Sequence, residues 1–443
     1  MKKLFGLFLT GIFRLLGVVT PNADAEYITQ SGDADFFDIN YTKQAEANVN
    51  DNFPLLQMIW KEYSDKNTTH DGLRSEHNVE ITYSGGASWG QPGTPRSHTI
   101  EKVQLDHKDL FATAYADAKT ISLTRRGKKV AHGSVLDTEI KSKILNFKRQ
   151  IEIALHGYGD GRLGTADGST PTGTAANPVV IMSSTDWCPF RWEVKDIVQV
   201  GSATDNYEVT AVNPTTRAIS LERLDGSVDL TSGALSSVFY LQHSKDNAWH
   251  GLAEVADATS GTLYSITVGR RWQSTQYTAT GAITPSMLRR RALNVRNLTG
   301  QLPTCIECST KQYDQLMVYA DSLQEVEVKP RRPHSLDKEG HFVELGDDHN
   351  PLYAQLGFEA MALALPGKKI PIFDNRMIED DRTYLLNTDK IKLRLTSDNM
   401  HWLRQGSDVW LRVSGTKFYE AIYAAFGNVY INPTFQAVIT SLP

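Results

Sequence analysis

Cysteine is scarce: only Cys188, Cys305 and Cys308 occur in 443 residues. An odd, sparse set supplies no disulfide framework, which points to a reducing compartment. No apolar run of about 20 residues free of charge occurs, so the sequence offers no membrane-spanning helix. Basic residues are not in excess. With 46 Lys and Arg against 51 Asp and Glu, the formal net charge is −5 and the pI about 6.2. That balance argues against a dedicated nucleic-acid binder. The H-E-x-x-H pair of a metalloprotease is missing too. Internal repeats and extended low-complexity tracts are absent.

What is present is enough chain for two or three domains, and a 40% hydrophobic content that can form a real core. The most informative stretch is 134–164. Leu136, Ile140, Ile144, Phe147, Ile151 and Leu155 fall on one stripe of a long amphipathic helix. Ser134 and Asp137 predict its start, Gly157 and Gly159 its end, and its length would be about 33 Å. A rod of this kind suits a protein that spans and packs better than one built around a pocket.

The pieces around it read as follows. Residues 1–50 form an arm whose Leu4, Phe8, Ile12, Leu15 and Leu16 share a helical face; Arg14 interrupts the run, favouring a docking helix over a secretory signal. FPLLQMIWKEY (53–63) is a second helix. VEITY (79–83), the Gly/Pro-rich 84–95 and the strand-like 100–105 and 110–124 predict a long exposed hairpin, marginal alone and in need of something to lie against. Residues 164–178 read as a linker. Strands at 193–200, 206–212, 217–224 and 236–242 follow, with Asn213-Pro214 marking a turn. Thr284-Pro285 opens a helix that buries Leu288, Ala292 and Val295. PTCIECS (303–309) is a strand entering a helix at 310–321 that faces Tyr313, Leu316, Met317 and Ala320 inward. Residues 329–342 are a polar loop, and the last 90 residues are strand-rich.

Candidate chemistry reduces to plainer readings. Gly159 to Gly164 satisfies G-x-G-x-x-G, but a helix precedes it where a dinucleotide site needs a strand. Cys305 and Cys308 lack the partners of a zinc site. Asp347-Asp348-His349 is a solvated loop, and Glu379, Asp380 and Asp381 are a charged turn. No catalytic residue, metal or cofactor is expected. The small basic clusters Arg289-Arg290-Arg291 and Arg331-Arg332 suit pairing with carboxylates of a neighbouring subunit, since charge complementarity fixes register.

In this order the pieces resemble the major capsid proteins of tailed bacteriophages, the Hong Kong 97-type shell fold, over roughly 50–443. VEITYSGG with LFATAYADAKTISLTRRGKK resembles that family's extended loop, IEIALHGYGDGRLG the end of its spine helix, and ITPSMLRRRALNVRNLTGQLPTCIECSTKQYDQL the helix–strand–helix of its axial domain. KKIPIFDNRMIEDDRTYLLN resembles a strand pair of that domain, and AFGNVYINPTFQAVITSLP the closing strand of the peripheral domain. The resemblance implies an α+β fold divided into an N-terminal arm (1–50), a leading helix (51–75), the extended hairpin (76–126), a peripheral domain with the spine helix (127–178), an inserted antiparallel β domain (179–250), an axial domain (251–415) and C-terminal strands returning to the peripheral domain (416–443). It also implies a non-enzymatic protein that assembles with itself into pentamers and hexamers and encloses double-stranded DNA without reading sequence. Partners would be a portal and separate scaffolding or decoration proteins, with no membrane, in a virion assembled in the host cytoplasm. Subunit contacts are expected at Leu4, Phe8, Ile12, Trp89, Arg125, Arg126, Arg289 and Arg290; no inter-subunit covalent cross-link can be placed. Two other readings stay open: a secreted bacterial β-rich enzyme or carbohydrate-binding protein, and an encapsulin-like compartment shell.

Overall fold

In the computed structural model, residues 53–63, 74–82, 99–117, 132–201, 205–224, 229–322, 361–365, 368–395, 401–402, 411–412 and 418–443 are described. The arm with Leu4, Phe8 and Ile12, the hairpin tip with Trp89, Arg125, Arg126, Arg331, Arg332 and the Asp347–His349 cluster lie outside them. The chain divides into two units. One comprises Met1–Asp51, His107–Ile151 and Leu395–Gly427; the other comprises Asn52–Asp106, Glu152–Arg394 and Asn428–Pro443.

Helix α1 spans Pro54–Tyr63. Strands β1 (Arg74–Thr82) and β2 (Thr99–Asp106) then pair antiparallel from Arg74↔Asp106 outward. The first strand starts five residues before the alternating VEITY, because RSEHN is polar yet fully paired through its backbone. The half of this hairpin nearest residue 106 packs on its own unit. Val103 and Leu105 are buried, and His77 meets Tyr430 edge-on at 4.3 Å between ring centroids. Toward the tip Ile100 is exposed.

The segment expected to complete that hairpin does not. Strand β3 (Lys108–Asp117) instead pairs antiparallel with a long strand near the C-terminus, from Phe418↔Asp117 to Gly427↔Lys108. Both segments alternate apolar and polar residues, and period alone does not choose a partner. Helix α2 runs His132–Leu155, 24 residues or about 36 Å. It begins two residues before Ser134. Phe147, Ile151 and Leu155 are buried as the stripe predicts, and Phe147 packs edge-on against Tyr423. The helix ends where Gly159 and Gly161 take φ of +74° and +81°, left-handed values that glycine adopts without strain.

The expected linker is a sheet. Strands β4 (Arg162–Thr165), β5 (Thr172–Gly173) and β6 (Pro178–Ile181) join β7 (Ile197–Val200), β8 (Asn206–Asn213), β9 (Ala218–Arg223) and β10 (Val238–Leu241) in the order β4-β10-β7-β8-β9-β6-β5. Residues 164–178 carry little apolar alternation; backbone bonds such as Asp167 N–H to Ile181 O and Gly168 N–H to Leu235 O place them. The turn after β8 is closed by the Asn213 side chain, which accepts from Thr215 and Thr216 N–H. Tyr207, Val209, Ile219, Leu221 and Phe239 fill the inner face.

Helix α3 (Leu252–Asp257) and the short ladder of β11 (Thr262–Leu263) and β12 (Ile266–Thr267) lead to a six-stranded mixed sheet. Its strands are β13 (Thr275–Thr278), β14 (Cys305–Cys308), β15 (Met361–Leu365), β16 (Lys368–Asp374), β17 (Thr383–Leu386) and a C-terminal strand, β22 (Ala437–Thr440); the order is β13-β22-β17-β14-β16-β15. The two strands of 368–387 therefore flank β14 instead of pairing with each other. Helices α4 (Pro285–Thr299) and α5 (Thr310–Ser322) belong to this part. Leu288, Ala292 and Val295 of α4 and Leu316 of α5 share one core with Ile306, Ile370, Leu385 and Ile439. The phase of α5 differs from expectation: Met317 is exposed, and Gln312 is buried, its amide donating to the Asp380 and Pro443 carbonyls. The remaining strands, β18 (Ile391–Leu395), β19 (His401–Trp402) and β20 (Leu411–Arg412), gather with β3 on β21 (Phe418–Ile431).

Thr284 caps α4 by accepting from Met287 N–H, and Gly300 ends it in the left-handed region. Thr284→Ala should lower stability by about 1 kcal/mol, read as a drop in urea midpoint at unchanged slope; an unchanged midpoint would remove the cap from the account.

Candidate functional site

Ionisable side chains collect in the dry interior of the larger unit. Helix α1 has no acid in its own first turn; its leading N–H groups need an acceptor from elsewhere. Glu152, in the last turn of α2, supplies it, with Leu55 N–H at 3.3 Å and Leu56 N–H at 2.9 Å. Asn375, just past β16, donates to the same carboxylate at 2.8 Å. One turn on, His156 Nδ1 meets the Glu152 carbonyl at 3.0 Å, and Nε2 meets Glu307 of β14 at 3.0 Å. A carbonyl can only accept, so Nδ1 carries a proton. The Nε2 contact then requires one more, on the ring or on the carboxyl.

A second ion pair adjoins it. Arg191 Nη1 lies 2.9 Å from Glu379. Its other nitrogens donate to the Met377 carbonyl, and Nη2 also to the His156 carbonyl at 3.3 Å. The charged turn expected at Glu379–Asp381 is a turn, with Arg382 N–H donating to the Glu379 carbonyl, but the Glu379 side chain is fully buried. Its neighbours Asp380 and Asp381 are partly buried, which pushes both carboxyls up. Arg382 makes a two-pronged bond to Asp257 at 3.0 and 2.9 Å, the strong geometry for this pair.

Burial pushes the Glu152 carboxyl up, against the pull of His156. For His156 burial disfavours the charged ring, but Glu307 and Glu152 outweigh it and raise its pKa above the ordinary 6.5. Glu152, His156, Arg191, Glu307 and Glu379 are all buried. A network with no exposed member presents no atom to a substrate. What it can do is tie segments near 55, 152–156, 191, 307 and 375–382 into one body. Sequence reasoning missed it. One signal was available: Glu152 and His156 stand four apart within the apolar IEIALH, where a solvated helix face would not put a charge.

Cys305 and Cys308 are both buried in β14. Three residues apart in a strand, they face opposite sides of the sheet and cannot share a ligand. Among the described residues no group of His, Cys, Asp or Glu is arranged to hold a metal ion, and no helix is long and apolar enough to cross a membrane.

Of the expected contact residues, the described ones are Arg289 and Arg290. Both are exposed on α4, whereas Arg291 is held over the Tyr277 ring at 3.4 Å from its centroid. Leu298 of α4 and Met317 and Val318 of α5 are exposed apolar side chains of the same unit.

Removing one partner of a buried ion pair leaves the other charge stranded, at about 3–5 kcal/mol. Arg191→Met should cost that much in chemical denaturation, and adding Glu379→Leu should recover most of it; a double variant as unstable as the single would refute the pairing. A pH series gives a second check. The raised pKa values of His156 and Glu152 mean that the folded state keeps protons the unfolded chain releases. The His156 contribution is complete below 6.5 and lost as pH rises through its higher folded value; the Glu152 contribution has the same sign above 4.5. The urea midpoint should therefore fall as pH is raised above 6.5, and His156→Gln should flatten that fall. A midpoint that rises over this range would contradict it.

No protein-family model and no curated protein matches this chain. Solved structures do. A chain of the cyanophage A-1(L) capsid asymmetric unit is 12% identical, matches over 91% of this chain and 97% of its own, and gives a TM-score of 0.52. A chain of the native GTA particle capsid is 8% identical over 95% and 100%, with a TM-score of 0.44, and one from Mycobacterium phage Bobi is 10% identical over 95% and 99%, with 0.41. The last two scores are too low to add to the assignment. The first, almost end to end on both chains, gives the result: this chain shares its fold with a chain of the cyanophage A-1(L) capsid.

Proposed function

We propose that this chain is the major capsid protein of a tailed phage, of Hong Kong 97 type. It would assemble with itself into pentamers and hexamers of an icosahedral shell around double-stranded DNA. The observation that carries this reading is the fold match to the cyanophage capsid chain across nearly the full length of both. The physical reading agrees with it: charged side chains are buried to lock segments together, and apolar and basic residues are left outside on α4 and α5.

On this reading α2 is the spine helix, and the sheet with α4 and α5 belongs to the axial domain. The exposed end of the β1–β2 hairpin reaches a neighbouring copy, while its base stays on its own subunit. The N-terminal arm would dock on a neighbour through Leu4, Phe8 and Ile12, with Trp89, Arg125 and Arg126 making further contacts. The β4–β10 sheet is an insertion, because its first and last strands are neighbours, with Phe239 opposite Gly164. A chain that leaves beside the point where it came in can be interrupted there without disturbing its host. Portal, scaffolding or decoration proteins would be separate chains, and the product a virion component assembled in the host cytoplasm.

Expression of the chain alone, followed by light scattering and negative-stain microscopy, tests this. Closed shells or capsomer rings are expected, and deletion of residues 1–20 should cut their yield. A monodisperse monomer at high concentration would overturn the reading.

A further inference from the structure

We propose that adjacent copies meet through a head-to-tail charged contact, in which the Arg289–Arg290 face of α4 on one copy seats on the Glu208–Glu222 face of β8 and β9 on the next. This rests on the shell reading above and names one of its interfaces.

The first face is electrostatically awkward in a lone subunit. Helix α4 has no acid in its first turn and carries Arg289 and Arg290 in its N-terminal half. The positive end of the helix dipole opposes cations there. Arg296, one heptad beyond Arg289, extends the same stripe. All three are exposed, and among the described residues none has an acidic partner. Arg291 shows the contrast, since it turns back onto Tyr277 within its own unit.

The second face is awkward with the opposite sign. Glu208 stands directly across from Glu222 in the β8–β9 ladder, and like charges so opposed destabilise a sheet. Their strand neighbours Tyr207, Val209 and Leu221 are buried, so both carboxylates point away from the sheet's core. Neither makes an ion pair among the described residues, and Lys195, just before β7, makes none with them.

Each face relieves the other. Guanidinium and carboxylate pair in a two-pronged geometry that sets orientation as well as attraction. Exposed Leu224, two residues beyond Glu222, adds apolar area beside the carboxylates. Because the two patches differ, the contact is heterologous, and a heterologous contact closes into a ring when its rotation divides a full turn. A second copy fits the arginines better than nucleic acid does, since the matching acidic face is on this chain and the whole chain is net −5.

Charge reversal tests this in the full-length protein. Arg289→Glu/Arg290→Glu makes both faces acidic, and Glu208→Lys/Glu222→Lys makes both basic. With folding confirmed by circular dichroism, each variant alone should lose assembled material by on the order of tenfold in sedimentation. Mixed one to one they should regain even-membered rings such as hexamers, because each variant's α4 then faces an opposite charge on the other, whereas a ring of five keeps one like-charged junction. Should a reversal fail to fold, Arg289→Gln/Arg290→Gln carries the test, with a partial loss expected. Either reversal assembling like wild type, or a mixture of two folded variants that stays dissociated, would overturn the contact and leave the shell reading standing. Normal shells from the arginine variant that fail to retain DNA would reassign the face to phosphate and also overturn it. A wild-type chain that never assembles would instead overturn the shell reading itself.

Discussion

The constraint on which the larger unit depends is the desolvation of charge. Carboxylates and guanidinium groups removed from water are tolerated only when their partners are already in place. Glu152 is held by two α1 amides and Asn375, His156 by Glu307 and a carbonyl, and Arg191 by Glu379 and two carbonyls. Apart from the Glu152 carbonyl, four residues from His156, each partner comes from a distant part of the chain. Loosening any one segment would strand a charge, so these segments gain or lose their order together.

The same network explains an arrangement that local sequence does not. Helix α1 lacks an acidic cap of its own and borrows one from α2, about a hundred residues away. Its position is fixed at its N-terminal end by a hydrogen-bonded carboxylate and on its side by apolar burial of Leu55, Leu56 and Ile59. Pinned in this way, the helix gives whatever precedes it in the chain a defined point of departure.

What could be read from the sequence was chemistry acting over one or two turns. Thr284, Pro285 and the Leu288–Ala292–Val295 spacing specify α4 within 15 residues. The strands with strong alternation and the Asn213 turn were legible for the same reason. What could not be read depends on partners far away. The 164–178 segment forms strands because neighbouring backbones accept and donate to it, whatever its side chains are. Residues 110–117 alternate as a hairpin arm would, but the competing strand lies 300 residues on. Glu379 resembled a surface acid until Arg191 was brought beside it. On α5 the inward residue is Gln312, because the Asp380 and Pro443 carbonyls await its amide. Of the candidate contact surface, the α4 arginines were visible as a run of charge; the acidic counterpart, split between two strands, was not.

The three thiols offer a last consequence. Cys188, Cys305 and Cys308 are all sealed inside, and burial raises the first to about 11. The folded surface described here is therefore silent toward maleimides and other thiolate-seeking reagents. A single cysteine introduced on an outer face would be the one handle on each copy, so fluorophores or gold could be attached without first stripping the native sulfur chemistry from the chain.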